Sequence, residues 1–554
     1  MLPQGLWALS LSCLASHCLA AGNLENFDEL LTVRPLRDGH VTTRFLFSIT
    51  QAGATPRVPD AILEEDEHRR CIAQHYSLFP LSLGQILREY AVTEVHLSLN
   101  AGKWDYGSWG MPEDLAVAGG AELWAWMGDS DRVGVDERWK GLRNALSGLF
   151  CASIGEMNEM RTTSPTYAFR PEGQLPLLFS NQTVTYQLRH ASLPSEHVCT
   201  ENLTPFLKLL PCKSLAGIAS LLNPHRLFDA DWHGMSIHVT WDELEGVKLQ
   251  LSVQAVFDPV RSSTQQKRDF SFQSLFDRSI STACSVASNS KVEVALPQGV
   301  GYAITPEPLA FRDQIAVYDT SELVSEPLDI SVRYPAEGSF SYPLELSSPL
   351  TDFEISRTFT GTTQSSGKLT VSIQNNRADD LQILYVETMP WLVTFYLHTL
   401  DLRVDGQKRD ELMTRLKYAP PEAHGRPTLL EVELTIPASS ILQVSMEVIR
   451  SFLRYTEHPP DASRGWDMPP AVFVVRNGND SMTYGERVYT RPVLVDVATP
   501  DFSMPYNVII MSSTLIALIF GSIFNLLTRR FVAIKVGDGN AANGDENELR
   551  NEFG

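Results

Sequence analysis

This sequence predicts a mainly β chain with some helices, held to a membrane by a single C-terminal transmembrane helix. Three observations carry that reading. Short runs alternate apolar and polar residues at period two. Two stretches switch to the spacing of an amphipathic helix. Val508 to Leu527 then runs without a charge for about 20 residues, which at ~1.5 Å per residue covers a ~30 Å hydrocarbon core. The expected architecture is an α+β N-terminal lumenal domain and a β-sandwich second lumenal domain on one span, a type I membrane protein.

The elements follow in order. Leu6 to Ala20 is apolar and ends in the small residues Cys18-Leu19-Ala20-Ala21, so residues 1–20 read as a cleaved signal peptide, though no Lys or Arg precedes the run. The N-terminal domain is expected over 21–300. Phe45, Phe47 and Ile49 alternate as a half-buried strand, as do Val95, Leu97 and Leu99. Leu83, Ile86, Leu87 and Tyr90 recur at helical spacing. Trp139, Leu142, Leu146, Leu149 and Phe150 share one helical face, with Asp136 as candidate N-cap. Met235 to Phe257 predicts a hairpin that turns at Asp242 to Gly246.

Pro306, Pro308, Pro327 and Pro335 interrupt the pattern, and the second domain is expected over 301–506. There Leu369, Val371 and Ile373 alternate, then Leu430 to Ile436, then Leu442 to Val448 after a turn at Pro437 to Ser440. Short strands with turn signals predict a β-sandwich. The transmembrane helix is placed at 507–527. Arg529, Arg530 and Lys535 follow it, which puts the polar 528–554 tail in the cytosol as a disordered segment.

A net charge of -21 repels phosphate backbones, so nucleic acid is excluded as a partner class. The chain has no P-loop, no H-E-x-x-H, no G-x-S-x-G, no CxxC and no G-x-G-x-x-G. No catalytic residue, metal ligand or cofactor is therefore assigned. His225, His233 and His238 lie close in sequence, but on a period-two strand His238 faces away from Ile237 and Val239 and reads as a surface histidine. Glu64 to Glu67 reads as a solvated loop. Asn181, Asn202 and Asn479 head N-x-S/T sequons, candidates for N-glycosylation.

Of seven cysteines, Cys13 and Cys18 leave with the leader. Cys71, Cys151, Cys199, Cys212 and Cys284 remain, an odd set in an oxidising compartment, so one thiol is free or pairs with another chain. Cys199 lies in His197-Val198-Cys199-Thr200-Glu201-Asn202-Leu203-Thr204-Pro205. The sequon and Pro205 describe an exposed loop, where a disulfide is the natural fate of a cysteine. A catalytic thiol would need a base and an orienting partner that the sequence does not show.

Cys199-Thr200-Glu201-Asn202-Leu203-Thr204-Pro205 with Leu209-Leu210-Pro211-Cys212 resembles the PIG-T family, a subunit of the glycosylphosphatidylinositol (GPI) transamidase. So do His75-Tyr76-Ser77-Leu78-Phe79-Pro80 with Leu83-Gly84-Gln85, Glu122-Leu123-Trp124, Ser147-Gly148-Leu149-Phe150-Cys151-Ala152-Ser153, and Thr499-Pro500-Asp501-Phe502-Ser503-Met504-Pro505-Tyr506-Asn507-Val508-Ile509. The resemblance runs collinearly over nearly the whole chain.

It implies a non-catalytic scaffold in the endoplasmic reticulum membrane. The complex would join new protein C-termini to GPI, with its nucleophilic cysteine on a separate caspase-like subunit. The implied partners are that subunit, other transmembrane subunits, the GPI lipid and the proprotein. It also implies an interchain disulfide at Cys199 and GPI recognition by Asp501, Ser503 and Asn507; Cys151, Cys212 and Cys284 match family positions, and of the pairs open among them Cys212 with Cys284 is the favoured intrachain disulfide. There a carboxylate faces an ethanolamine ammonium and two polar side chains face phosphate or sugar. The bland reading of the same stretch is a helix-starting turn. Ser463 stands where the family pattern has Asn, Cys71 falls outside the pattern, and Cys151 beside the Trp139 helix face reads as buried. Trp391 reads as core or interface, and Asn525 as an interfacial residue. The alternatives are an enzyme that uses Cys199 or a histidine, and a single-span cell-surface β-sandwich adhesion or receptor protein.

Overall fold

The computed structural model describes residues 25–56, 77–130, 133–176, 185–297, 299–321, 327–343, 349–361, 363, 365–459, 464–476, 484–498 and 503–529. The leader, Cys71, Asn181, Ser463, Asn479, Asp501 and the tail beyond Arg529 lie outside the described residues. Residues up to Ala498 form one compact unit, and Thr499–Gly554 form another.

The first part of the chain supplies β1 (Glu25–Pro35), β2 (Val41–Gln51), β3 (Val92–Ala101), β4 (Gly120–Asp129), β5 (Thr162–Thr163), β6 (Thr185–Leu193), β7 (Trp232–Asp242), β8 (Gly246–Phe257), β9 (Phe270–Ser271), β10 (Asn289–Ala295), β11 (Ala303–Thr305), β12 (Ala310–Arg312), β13 (Ile315–Asp319) and β14 (Ser331–Arg333). Eleven of these make one sheet in the order β12-β13-β10-β1-β2-β8-β7-β3-β4-β6-β5. Neighbours are antiparallel except β1 and β10, which pair in parallel from Asp28 with Asn289. The hairpin holds as read: β7 pairs with β8 from Trp232–Val256 to Asp242–Gly246. Gly246 sits at φ +81, and a Cβ there would overlap the Gln51 carbonyl, so the turn needs glycine twice over.

Alternation gives this sheet two faces. Phe27, Leu31, Phe45, Phe47, Ile49, Leu97, Leu123, Leu249 and Leu251 point to one face and are 0–2% exposed. They share a core with three helices, α1 (Leu81–Glu89), α2 (Val135–Phe150) and α3 (Thr200–Leu209). Burying one such side chain contributes roughly 1.5–3 kcal/mol before chain entropy, so the apolar stripes of the helices fix their place on the sheet.

The second part supplies β15 (Phe353–Thr360), β16 (Ser366–Asn375), β17 (Leu381–Met389), β18 (Val393–Phe395), β19 (Asp401–Val404), β20 (Gln407–Lys408), β21 (Met413–Ala419), β22 (Thr428–Ile436), β23 (Ile441–Arg450), β24 (Trp466–Met468), β25 (Val472–Arg476), β26 (Tyr484–Tyr489) and β27 (Val493–Val495). One sheet runs β15-β16-β23-β19-β20, with β18 also on β23; the other runs β21-β22-β17-β25-β26. Leu369, Val371 and Ile373 from the first and Tyr385, Val432 and Phe473 from the second share a core. This is the sandwich expected from the alternation. Inside it Arg357 pairs with Glu387, both side chains 0% exposed, and the Tyr385 hydroxyl donates to Glu387 Oε2 at 2.7 Å. Burial pushes the Glu387 carboxyl up against the pull of that guanidinium. Trp391 belongs to the same core.

Candidate functional site

The helix layer carries the cysteines. α2 buries Val135, Trp139, Leu142, Leu146 and Phe150. Its N-cap is Gly134 rather than Asp136. Asp136 sits in the first turn because Arg189 and Arg426 draw it outward, at 2.7 and 2.8 Å. Burial pushes the Asp136 carboxyl up, but the two arginines outweigh it and hold it low. α2 ends at Cys151, which adopts φ 52 and ψ 40. The expectation of a buried Cys151 fails: its thiol is free and exposed, because the left-handed turn swings the residue off the apolar face.

Cys199 is likewise free and exposed. It is the N-cap of α3, so the expected exposed loop is instead the first turn of a helix. α3 forms despite Pro205, which removes one N–H and crowds the preceding turn, because Leu203, Phe206 and Leu209 bury a stripe on the core. Asn202 fixes the junction and is 1% exposed. Its Oδ1 accepts from the Cys199 N–H at 2.8 Å, and its Nδ2 donates to the carbonyls of Phe150 and Cys151 at 3.0 Å each. One carboxamide thus caps the start of α3 and the end of α2. This corrects the sequon reading of Asn202. A glycan on Nδ2 would replace one of the two N–H groups that make these bonds and needs space that packed atoms fill. Past α3, Cys212 is joined to Cys284 by a disulfide with Cα atoms 5.9 Å apart.

In the second unit, α4 (Ser503–Thr528) contains a span from Tyr506 to Thr528 that is long and apolar enough to cross a membrane. Ser512, Thr514 and Thr528 donate to the carbonyls of Ile509, Ile510 and Phe524, so their hydroxyls need no outside partner. Asn507 is exposed on α4. Ser503 opens the helix, four residues before Asn507, a spacing that sets two positions on one helix face.

A second polar constellation escaped the sequence reading. It occupies the other face of the eleven-stranded sheet, where Leu384, Val386, Val472 and Tyr489 of the sandwich pack on Trp104, Trp124 and Phe169. Cross-strand register lines up His190, Trp124, His96 and His238 on β6, β4, β3 and β7. His238 is therefore not a surface histidine. Its Nδ1 lies 2.8 Å from His96 Nδ1, so one ring donates and the other accepts. His96 stacks on Trp124 at 3.8 Å and bonds Glu94 at 3.0 Å. Glu122 bonds His190 at 3.0 Å and accepts from the Tyr489 hydroxyl of the sandwich at 2.9 Å. Glu431 of the sandwich accepts from the Thr166 and Tyr167 N–H groups at 2.9 Å. Arg487 pairs with Glu172 and lies 5.0 Å above the Trp124 ring. Burial pushes the Glu172 carboxyl up, but His96 and Arg487 together hold it down at about 2. Burial dominates His96 itself and lowers its pKa.

The sequence-clustered histidines do not converge. His225 is exposed on a short helix, His233 is buried edge-on against Phe228, and His238 joins His96. Elsewhere His40, Asp231 and Asp258 place ligand atoms within 4.8 Å of one another. Asp38 sits 2.9 Å from His40, Arg261 sits 3.4 Å from Asp231, and the Tyr342 hydroxyl donates to Asp258 at 2.7 Å. That is an ion-pair cluster already supplied with cations and donors.

The profile of a family described as "Gpi16 subunit, GPI transamidase component" matches residues 9–270 and 259–553. The chain is 34% identical to the Schizosaccharomyces pombe "GPI transamidase component PIG-T homolog", over 96% of this chain and 95% of that one. It is 32% identical to the Homo sapiens "GPI-anchor transamidase component PIGT", again over 96% and 95%. Identity to the Saccharomyces cerevisiae "GPI transamidase component GPI16" is 29%, over 92% and 90%.

Proposed function

This chain belongs to the Gpi16 family of GPI transamidase components, and from that premise we propose that it is the non-catalytic scaffold of the complex, in the endoplasmic reticulum membrane with its bulk lumenal. In this reading Cys199 forms a disulfide with the catalytic, caspase-like subunit. Asp501, Ser503 and Asn507 hold the GPI headgroup, and Asn181 and Asn479 carry glycans.

The observation that carries it is the Cys199 junction. An exposed free thiol sits on a helix start fixed by a buried asparagine, in a body that already contains an intrachain disulfide. Rigid presentation lowers the entropic cost of joining a second chain. The chemistry then belongs to the partner, and this chain contributes geometry. The headgroup assignment rests on donor chemistry: a carboxylate for an ammonium, and hydroxyl and amide for phosphate or sugar oxygens, next to an apolar span.

A GPI-anchored reporter tests both halves. Cys199→Ser is expected to remove the partner-linked band on non-reducing gels and to reduce surface reporter. Asp501→Ala with Asn507→Ala is expected to reduce reporter while the complex still assembles. Wild-type reporter from the double variant would end the headgroup assignment, and an unchanged band from Cys199→Ser would end the disulfide assignment.

A further inference from the structure

Cys199 has a neighbour. The Asn202 carboxamide touches the Cys199 N–H with one end and the Cys151 carbonyl with the other, at 2.8 and 3.0 Å. One amide group therefore separates the two backbones. Both thiols are exposed and free, and in the same part of the chain Cys212 is joined to Cys284, a pairing that an oxidising compartment allows.

Cys151 also occupies an unusual place. It ends α2 at φ 52, a left-handed conformation that glycine adopts without strain and that a cysteine adopts only at a steric cost. Packing does not offset that cost, because the side chain is exposed. What the cysteine offers there, and a glycine does not, is a thiol on a backbone that one carboxamide separates from that of Cys199.

We propose that Cys151 and Cys199 form a dithiol pair, closed as an internal disulfide in the unassembled chain and opened when Cys199 joins its partner. This deepens the interchain-disulfide reading and rests on it. Closure needs the Cα atoms about 4.4–6.8 Å apart, and the exposed turn at Cys151 is the part that adjusts. A disulfide donor takes the two electrons and two protons of the thiols, and one S–S bond forms. On assembly, a partner thiolate attacks Cys199 Sγ. The Cys199–partner bond forms, the Cys151–Cys199 bond breaks, and Cys151 leaves as thiolate and takes up a proton. No net oxidation accompanies that step. The internal disulfide protects Cys199 from random pairing until a partner arrives.

The test is thiol labelling with iodoacetamide before reduction, read by peptide mass spectrometry on the full chain. In cells lacking the catalytic subunit, the Cys151 and Cys199 peptides are expected joined to each other and unlabelled. In the assembled complex, Cys199 is expected joined to the partner and Cys151 labelled. Cys151→Ser, at an exposed site, is expected to keep the melting temperature of the reduced chain and to make Cys199 labelled in the unassembled chain. If both thiols are labelled without reduction in the unassembled wild-type chain, the pair does not exist. That result, with Cys199 still joined to the partner in the complex, overturns this inference alone. Labelled Cys199 in the complex overturns the interchain reading instead.

Discussion

The two faces of the eleven-stranded sheet solve opposite problems. One face is apolar, takes helices α1, α2 and α3, and leaves exposed only what those helices present, Cys151 and Cys199 among it. The other is lined by Glu94, His96, Ser98, Asn100, Glu122 and Ser236, each 0–3% exposed, and lies under the sandwich. Charge is buried where the chain meets itself, and thiols are exposed where it is proposed to meet another chain. The lesson is about specificity. An apolar face accepts any helix with the right stripe, whereas a seam of paired charges accepts only a partner with matching groups in register, since an unmatched buried charge is costly.

The largest break in that contrast is expected at Trp124. It stacks on His96, meets Phe169 edge-on at 5.5 Å and lies under Arg487. Trp124→Ala is expected to cost about 3–5 kcal/mol in chemical denaturation, with early separation of sheet from sandwich. A loss below about 1 kcal/mol would mean that the seam does not hold the two parts together.

Acid sharpens the same contrast. His233 is held neutral by burial, with its pKa lowered from 6.5 to about 4. Below pH 6.5 the unfolded chain takes up this proton and the folded chain does not, so stability falls as pH drops from 6.5 toward 4, by roughly 3 kcal/mol in total. Burial depresses His96 too, and it adds loss in the same direction below pH 6.5. His233→Phe is expected to flatten part of the slope between pH 4 and 6.5 in urea melts. An unchanged slope would place the acid sensitivity elsewhere.

A smaller effect is expected on the helix side. Asn202→Ala strands the carbonyls of Phe150 and Cys151 and the Cys199 N–H, at about 1–3 kcal/mol. It is also expected to slow interchain disulfide formation more than the stability loss explains. The smallest effect on stability is Cys199→Ser in the reduced chain, expected within about 0.5 kcal/mol because the side chain is exposed.

Much of the apolar face was legible in the sequence, because alternation and helical spacing report directly on what is buried. The β7–β8 hairpin and the turn at Pro437 followed from local pattern alone. The polar face was not legible. Period-two alternation shows that His238 faces away from Ile237, but it cannot tell solvent from a second layer of protein, and the sandwich that covers it lies more than a hundred residues later. The parallel pairing of β1 with β10 has no local signal either, since Glu29 and its partner Ser290 lie 261 positions apart. Asn202 was read by its triplet, a motif silent about burial, and Cys151 by its neighbours, which could not reveal a left-handed turn. The Cys199 assignment came from a long local motif; the surrounding geometry came only with the structure.

The proposed assembly turns on Cys199 as the link between this chain and a catalytic subunit. A peptide map of the unreduced, assembled complex tests it most directly. The expected product is a peptide containing Cys199 joined through sulfur to a peptide from another subunit, and released on reduction. A Cys199 peptide recovered from the assembled complex as a free thiol, or joined to this chain's own cysteines, would contradict it.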